Sequence, residues 1–439
     1  MKKNKKVLSA VLAAAVIAAG GCSASVEGLL SPPKLDEEQS AIYEALKNSM
    51  GGDIHLKYPK SGQYRSAFVV RNIDDEETEE AIVFYEASNV SDGGSSLRLN
   101  FLDMEDGQWV SVYDFAALGS EIERVQFDDL GNGETSIIIT YTIQNSSDSA
   151  TSVLRYKNGI PTEVYKSRHM YMRLLDLNDD GTDEMFLING DRTSGTAAAY
   201  LLGWIEPDNF AVISSAPLSG SFSSCKNVLL GQCDTDGYRA IFIDYALSDG
   251  TFGTDALICY DRRISAISGL SELITRRTNS YTPSIFSQDI DGDGIIEIPS
   301  TAVFPGYENL TRPEQVNMTA WYRLEGQGYS IKLDCLSYIS IRGDYVLFIP
   351  TRWEGRITAA VSISDGTVSF SKYDSRKRET GETLLTICSV PTGQSAPDDG
   401  YIPYGSSETS GYSFYIKNNK SDSFALTDAE LADCFRILS

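Results

Sequence analysis

Histidine, closely spaced cysteine pairs and long apolar runs are scarce in this chain of 439 residues, and each scarcity removes a class of function. The only two histidines, His55 and His169, lie far apart, which excludes a HExxH zinc site and leaves little basis for a Ser-His-Asp triad. Each is therefore expected to be an ordinary surface or strand residue. No GxSxG sequence and no phosphate-cradling glycine loop occurs. No CxxC pair occurs either, so thiol redox chemistry and zinc ligation are not indicated.

Positive charge is also scarce. The chain has 37 basic and 61 acidic residues and a formal net charge of −24. A surface this acidic repels DNA and anionic lipid headgroups, so no nucleic-acid partner is expected. Beyond the amino terminus, no stretch approaches the roughly 18 consecutive apolar residues of a transmembrane helix.

The amino terminus has the pattern of an export signal. Four lysines within residues 2–6 precede an apolar run at residues 7–19, and small residues then lead into Cys22. This junction resembles the lipobox of bacterial lipoproteins, although Ala19 stands where that family usually has Leu. The resemblance implies that residues 1–21 are removed and that Cys22 carries the lipid, which would hold the protein on the outer face of the cell membrane. Simple secretion with cleavage near Ala24 is the alternative.

An acidic nine-residue motif recurs along the chain. "DLNDDGTDE" at 176–184 and "DIDGDGIIE" at 289–297 place acidic or amide residues and glycine at the same offsets. Weaker relatives begin at residues 72, 128 and 232, so the motif returns every 48 to 57 residues. A repeat of this length is typical of solenoids and propellers.

Strand patterns follow each copy of the motif. Alternating apolar runs such as "AIVFYE", "SIIITY" and "AIFIDY" come directly after it, and a strand, turn, strand pattern follows later in each unit. Each unit is expected to form about four short strands. The sequence therefore predicts a mainly β protein, with a β-propeller of about five blades at residues 54–333.

The acidic loops resemble the FG-GAP and VCBS repeats of integrin-α-like propellers. That resemblance implies an extracellular propeller that uses calcium structurally and binds proteins or glycans. A clean FG…GAP signature around each loop is absent from the sequence.

Oxygen atoms at alternating positions suit Ca²⁺, which takes six to eight oxygen ligands. The expected ligands in the two complete loops are Asp176, Asn178, Asp180, the Thr182 carbonyl, Glu184, Asp289, Asp291, Asp293, the Ile295 carbonyl and Glu297. The last acid stands at the ninth position, so these are not EF-hand loops. The alternative is a solvated acidic turn without metal, which is favoured for the three weaker copies.

The regions on either side of the predicted propeller have different patterns. Residues 22–35 are expected to form a tether, and residues 36–53 an amino-terminal helix that Asp36 caps. Residues 334–439 are expected to form a small carboxy-terminal α+β domain that ends in a helix starting at Thr427. Six cysteines follow Cys22, and their pairing cannot be deduced from spacing.

The absence of catalytic motifs favours a recognition or adhesion lipoprotein that is not an enzyme, with a surface protein or polysaccharide as its partner. The alternative is an envelope-localised hydrolase or lyase acting on glycan or peptide. Two acids that converge in a cleft would favour the enzyme, and a broad apolar or aromatic surface patch would favour the binding protein.

Overall fold

The computed structural model describes residues 35–51, 53–74, 76–87, 96–157, 159–191, 193–219, 222–247, 251–267, 277–278, 285–326, 330–340, 342, 344–395 and 400–438. The predicted signal peptide, Cys22 and nearly all of the tether lie outside the described residues. Among the described residues, no helix has both the length and the apolar character needed to cross a membrane.

One helix precedes the sheets. Helix α1 spans Glu37–Met50 within the predicted range of residues 36–53. The side chain of Asp36 accepts a hydrogen bond from the Gln39 backbone N–H at 2.7 Å and so satisfies a helix donor that would otherwise be free. Gly51 ends the helix in the left-handed conformation, which costs glycine little.

The described strands form six antiparallel sheets in chain order. The first contains β1 (Ile54–Leu56), β2 (Phe68–Arg71), β3 (Glu80–Ala87), β4 (Leu97–Glu105) and β5 (Gln108–Ala116). The second contains β6 (Glu121–Asp129), β7 (Thr135–Thr142), β8 (Ser149–Lys157) and β9 (Ile160–His169). The third contains β10 (Tyr171–Leu175), β11 (Glu184–Asp191), β12 (Thr196–Glu206) and β13 (Asn209–Pro217).

The three remaining sheets follow in the same way. The fourth contains β14 (Phe222–Gln232), β15 (Arg239–Leu247), β16 (Thr251–Tyr260), β17 (Arg263–Ala266) and β18 (Arg277–Thr278). The fifth contains β19 (Ile298–Val303), β20 (Asn317–Glu325), β21 (Ser330–Ile339), β22 (Tyr345–Phe348) and the last strand of the chain, β28 (Phe435–Ile437). The sixth contains β23 (Ile357–Ser362), β24 (Thr367–Asp374), β25 (Glu379–Pro391), β26 (Ile402–Ser407) and β27 (Tyr412–Asn418).

Consecutive sheets pack face to face through apolar side chains. One hydrophobic cluster joins each neighbouring pair, from the first and second sheets to the fifth and sixth. On its other face the first sheet is covered by α1, whose Ile42 and Leu46 are buried against Val83 and Tyr85. No hydrophobic cluster of the described residues joins the first sheet to the sixth. The protein is therefore mainly β and propeller-like, as predicted, with each sheet buried by its neighbours.

The predicted domain boundary at residue 334 differs from the structure. It falls inside β21, which pairs with β20 and β22 in the fifth sheet. The following strands form a sixth sheet, and β28 returns to the fifth sheet through β22. The expected closing helix is short: α2 spans Asp428–Cys434, and the chain enters β28 at Phe435, whose ring is buried against the aromatic core. Long-range pairing decides this arrangement, and local strand patterns do not reveal it.

Candidate functional site

Three of the predicted ligands gather in the loop before β19. Carboxylate oxygens of Asp289, Asp291 and Glu297 lie within 4.8 Å of one another. Gly292 and Gly294 have positive φ and donate their backbone N–H groups to Asp289 at 2.6 and 3.0 Å. The tight turn therefore depends on glycine and folds the acidic side chains together.

Glu297 is the buried member of this cluster. Its side chain is 0% exposed, and one oxygen accepts from the Ile290 N–H at 3.0 Å. Its Oε1 atom is buried and has no hydrogen-bond partner among the described residues. Burial raises the pKa of Glu297 to about 8, with Asp291 and Asp293 adding to the effect. An unpartnered buried carboxylate oxygen beside two further carboxylates suits a hard cation.

The other two predicted ligands of this loop have different surroundings. The carboxylate of Asp293 lies outside the three-acid cluster and accepts from the Ile295 N–H at 2.8 Å. Ile295 itself forms a bridge with Gln232 of the fourth sheet. Arg436 on β28 donates to the carbonyl of Asp291 at 2.5 Å, so the carboxy-terminal strand holds the loop in place.

The loop at 176–184 is organised differently. Asp176 accepts from the backbone N–H groups of Asp180 and Gly181, and Asp180 accepts from Thr182. Asn178 donates its side-chain amide to Asp180 at 2.9 Å. These contacts form a hydrogen-bonded turn, and the described residues of this loop do not include three gathered carboxylate, histidine or cysteine groups.

Arginine neutralises the buried acid of this second loop. Glu184 is 1% exposed and accepts from the Arg262 Nε at 3.0 Å. The same guanidinium donates to the Trp204 carbonyl at 3.2 Å. The sequence-based calcium prediction for residues 176–184 stays a prediction, and the structure shows that a fixed positive charge already reaches Glu184. Sequence reasoning missed Arg262 because it lies 78 residues away.

Two acids that sequence reasoning did not select meet between the second and third sheets. The carboxyl groups of Asp128, on β6, and Asp183, just before β11, lie close enough to shift each other's pKa, and both side chains are half-buried. Burial raises the pKa of both groups, and the charge of Asp183 raises that of Asp128 further. A proton on Asp128 would allow its carboxyl group to donate to Asp183. In that protonation state the pair would contain a carboxylic acid that can donate a proton and a carboxylate that can accept one.

A small pocket lies farther along the same edge. It encloses about 190 Å³ and is lined by residues of the second sheet and the start of the third, including Arg124, Thr140, His169 and Tyr171. Only Met170 separates β9 from β10, which brings His169 and Tyr171 to one place.

His169 is buried rather than exposed. Its Nε2 lies 2.8 Å from the Thr151 hydroxyl, and that hydroxyl lies 3.2 Å from the Thr140 hydroxyl. Its Nδ1 is buried without a hydrogen-bond partner among the described residues. Burial lowers the pKa of His169 to about 4, so the imidazole is neutral at physiological pH. The expectation of a strand residue is met, since His169 ends β9.

Strand β6 connects the pocket to the acid pair. Val125 and Phe127 pack toward the first sheet, so Arg124, Gln126 and Asp128 face the third sheet on the alternate positions. β6 is the edge strand of its sheet, and we name these side chains together with Asp183 the β6 seam (Arg124, Gln126, Asp128 and Asp183). The backbone N–H groups of Lys60 and Ser61 donate to the β6 carbonyls at Ile122 and Glu123, and the Arg124 Nε donates to the Ser61 hydroxyl at 3.4 Å. Four residues of strand separate Arg124 from Asp128, a distance of roughly 13 Å. The seam thus has a cationic end and an acid-pair end.

Comparison with known proteins identifies no relative by sequence. No protein-family model matches the chain, and no curated protein matches it. The resemblance to FG-GAP and VCBS repeats therefore rests on the loops alone.

Several solved structures match the chain at low sequence identity and low TM-score. A periplasmic gluconolactonase from Pseudomonas aeruginosa is 11% identical, with a TM-score of 0.27, over 74% of this chain and 86% of that protein. A rhamnogalacturonan lyase from Bacillus licheniformis is 10% identical, with a TM-score of 0.28, over 85% of this chain and 92% of that protein. A putative 6-phosphogluconolactonase from Bacteroides uniformis is 9% identical, with a TM-score of 0.28, over 75% of this chain and 94% of that protein.

The names of these neighbours do not support the sequence-based expectation of a recognition or adhesion protein without enzymatic activity. The three structures named above are a gluconolactonase, a putative 6-phosphogluconolactonase and a rhamnogalacturonan lyase. The reaction has to be argued from the side chains of this chain.

Proposed function

We propose that the protein is an envelope-localised hydrolase, held outside the cell by a lipid on Cys22, which acts on a glycan or peptide. The observation that carries this proposal is the pair of neighbouring, half-buried carboxyl groups of Asp128 and Asp183 at the β6 seam, where burial raises the pKa of both. Two convergent acids are the arrangement that distinguishes an enzyme from a binding protein in this acidic chain.

The closeness of the two carboxyl groups indicates the type of hydrolysis. Acid pairs that cleave glycosidic bonds stand about 5–9.5 Å apart, which leaves room for a sugar or a water between them. We infer that Asp128 and Asp183 share one proton, as in a carboxyl dyad that activates one water toward a carbonyl carbon. We infer that the scissile group is an ester, lactone or amide carbonyl.

Each carboxyl group then has a definite role. Asp183, which accepts the shared proton, takes a proton from the attacking water. Asp128, which carries the shared proton, donates it to the oxygen or nitrogen of the leaving group. Arg124, at the other end of the seam, can hold a negative charge on the substrate at a distance from the reacting bond.

The calcium prediction is retained for the loop at 289–297. We propose that Asp289, Asp291, Asp293, the Ile295 carbonyl and Glu297 hold one structural Ca²⁺. The unpartnered Glu297 oxygen supports this assignment. The ion would neutralise the loop and hold it at the start of β19. It has no part in the proposed reaction.

Purified envelope polysaccharide and peptidoglycan are suitable substrates for the test. New reducing ends report glycosidic hydrolysis, unsaturated products report lyase chemistry, and released carboxylic acids or amines report carbonyl hydrolysis. We expect the third signal from the wild type and its loss in Asp128→Asn and Asp183→Asn. Glu105→Gln, an exposed carboxylate of the first sheet, is the matched control and should leave activity unchanged. Activity that survives in both Asn variants would remove the acid pair from the mechanism.

A further inference from the structure

A second concave site lies at the sixth sheet, away from the β6 seam. An open groove of about 680 Å³ follows β23, the edge strand of the sixth sheet. Its walls come from the loop at 306–309 and from the turn between β24 and β25. We name it the edge groove, and its lining residues include Tyr307, Thr358, Ser371, Tyr373, Arg378 and one acid, Glu308, which accepts from the Gly306 N–H at 3.0 Å.

One wall of the edge groove is aromatic. Gly306 has a φ of +98°, and a Cβ placed there would lie 3.0 Å from the Tyr373 ring. The ring therefore rests directly on the Gly306 backbone, which fixes its position. Tyr307, from the same loop, adds a second half-buried ring. Rigid aromatic surfaces beside polar groups are typical of sites that bind a ligand with one apolar face.

The other wall carries positive charge. Arg378 has a φ of +57°, and its N–H donates to the Asp374 carbonyl at 2.7 Å. The Asp374 carboxylate accepts from the N–H groups of Arg376 and Lys377 and so ties the turn together. Within the described part of the chain, the Arg378 guanidinium has no hydrogen bond or ion pair. In a protein with a net charge of −24, an unpaired guanidinium in a groove favours an anionic ligand.

The floor of the edge groove is rich in hydroxyl groups. Thr358 pairs with Ser371 across β23 and β24, and the Ser371 hydroxyl lies 3.0 Å from that of Thr383. Thr358 and Ala359 are only 6% and 1% exposed, so this part of β23 presents little surface to an added peptide strand. Hydroxyl groups, aromatic rings and a cation together match a sugar that carries a negative charge.

We propose that the edge groove binds an acidic saccharide. Arg378 pairs with a carboxylate or phosphate of the ligand, and Tyr373 stacks on the apolar face of a sugar ring. The edge groove would then select the substrate class of the enzyme, and that link rests on the proposed function. Binding itself can be measured without catalysis.

Calorimetric titration of the mature Asp128→Asn protein tests this proposal. The probes are oligogalacturonate, an uncharged galactan oligosaccharide of the same length, inorganic phosphate and a polyglutamate peptide. We expect oligogalacturonate to bind most tightly. Arg378→Gln and Tyr373→Ala should each weaken it by roughly tenfold or more, the effect of losing one charged or stacking contact. Lys332→Gln, an exposed strand lysine of the fifth sheet, should have no effect.

Several outcomes would overturn the proposal. They are equal binding of the charged and uncharged saccharides, phosphate binding as tight as that of the saccharide, polyglutamate binding that depends equally on Arg378, and no binding at all. The two proposals also fail separately. If Asp128→Asn loses hydrolysis but Arg378→Gln binds the saccharide as the wild type does, only the edge-groove proposal is refuted. If binding depends on Arg378 but the wild type shows no hydrolysis, only the proposed enzymatic function is refuted.

Discussion

The Nε of Arg262 donates to the buried carboxylate of Glu184 across 3.0 Å, and this contact joins the fourth sheet to the third. Glu297 occupies the corresponding position of its own loop, yet its Oε1 has no partner among the described residues. The two loops share a sequence pattern but differ in how the negative charge of the buried glutamate is neutralised. In the loop at 176–184 an arginine of the next sheet pairs with Glu184, whereas the surroundings of Glu297 in the loop at 289–297 suit a cation.

Arg262→Gln should destabilise the protein by about 1–3 kcal/mol. The change leaves the Glu184 carboxylate buried without its charged partner. Because the Arg262 guanidinium is partly exposed, we expect a smaller loss of unfolding free energy than for a fully buried ion pair. Urea unfolding measures the change. In a double-mutant cycle, adding Glu184→Gln should recover much of the loss, and purely additive effects would contradict the coupling.

Calcium should raise the melting temperature of the mature protein through the loop at 289–297. Binding to the folded state alone stabilises it in proportion to the logarithm of the free-ion concentration. Calorimetry with EGTA, with Ca²⁺ and with Mg²⁺ measures the shift.

Asp291→Ala should abolish this shift because it removes one of three gathered carboxylates. Asp180→Ala is the matched change in the other loop, and we expect it to keep most of the shift. If Asp180→Ala removes the shift and Asp291→Ala does not, the two loops have been assigned the wrong way round.

Glu80 should make the stability depend on pH. It is 1% exposed, and burial raises its pKa to about 7, although the Ile73 N–H donates to it at 2.6 Å. A raised pKa favours the protonated form in the folded state. The contribution of Glu80 is therefore present in acid and is lost as the pH rises through about 7.

Glu80→Gln keeps an acceptor for Ile73 and removes the titration. We expect its unfolding free energy to change less between about pH 5 and pH 8 than that of the wild type, by on the order of 1 kcal/mol or more. Parallel pH profiles for the two proteins would refute the assignment. Glu105→Gln, at the exposed end of β4, serves as the control.

The lipid anchor can be tested through Cys22. Cells that express the full-length chain should incorporate labelled palmitate into the protein and retain it in the membrane fraction. Cys22→Ala should lose the label and enter the soluble fraction, because one acyl-bearing residue provides the anchor. A wild type without label would indicate simple secretion.

Some features of the protein follow from local sequence. Alternating apolar residues form strands, Asp36 caps α1, and the Asp106–Gly107 turn of the first sheet takes positive φ at both positions. These features depend on neighbouring residues, so a repeat of loops and strands predicts a mainly β, repeated-sheet protein. The gathering of Asp289, Asp291 and Glu297 is local for the same reason.

The tertiary structure decided the remaining features, because they join residues that are distant in the chain. Strand β28 completes the fifth sheet, and Arg262 reaches Glu184 from another sheet. Asp128 and Asp183 meet only because the second and third sheets pack together. Local patterns indicate which residues can form strands or turns, whereas face-to-face packing of whole sheets determines which side chains become neighbours.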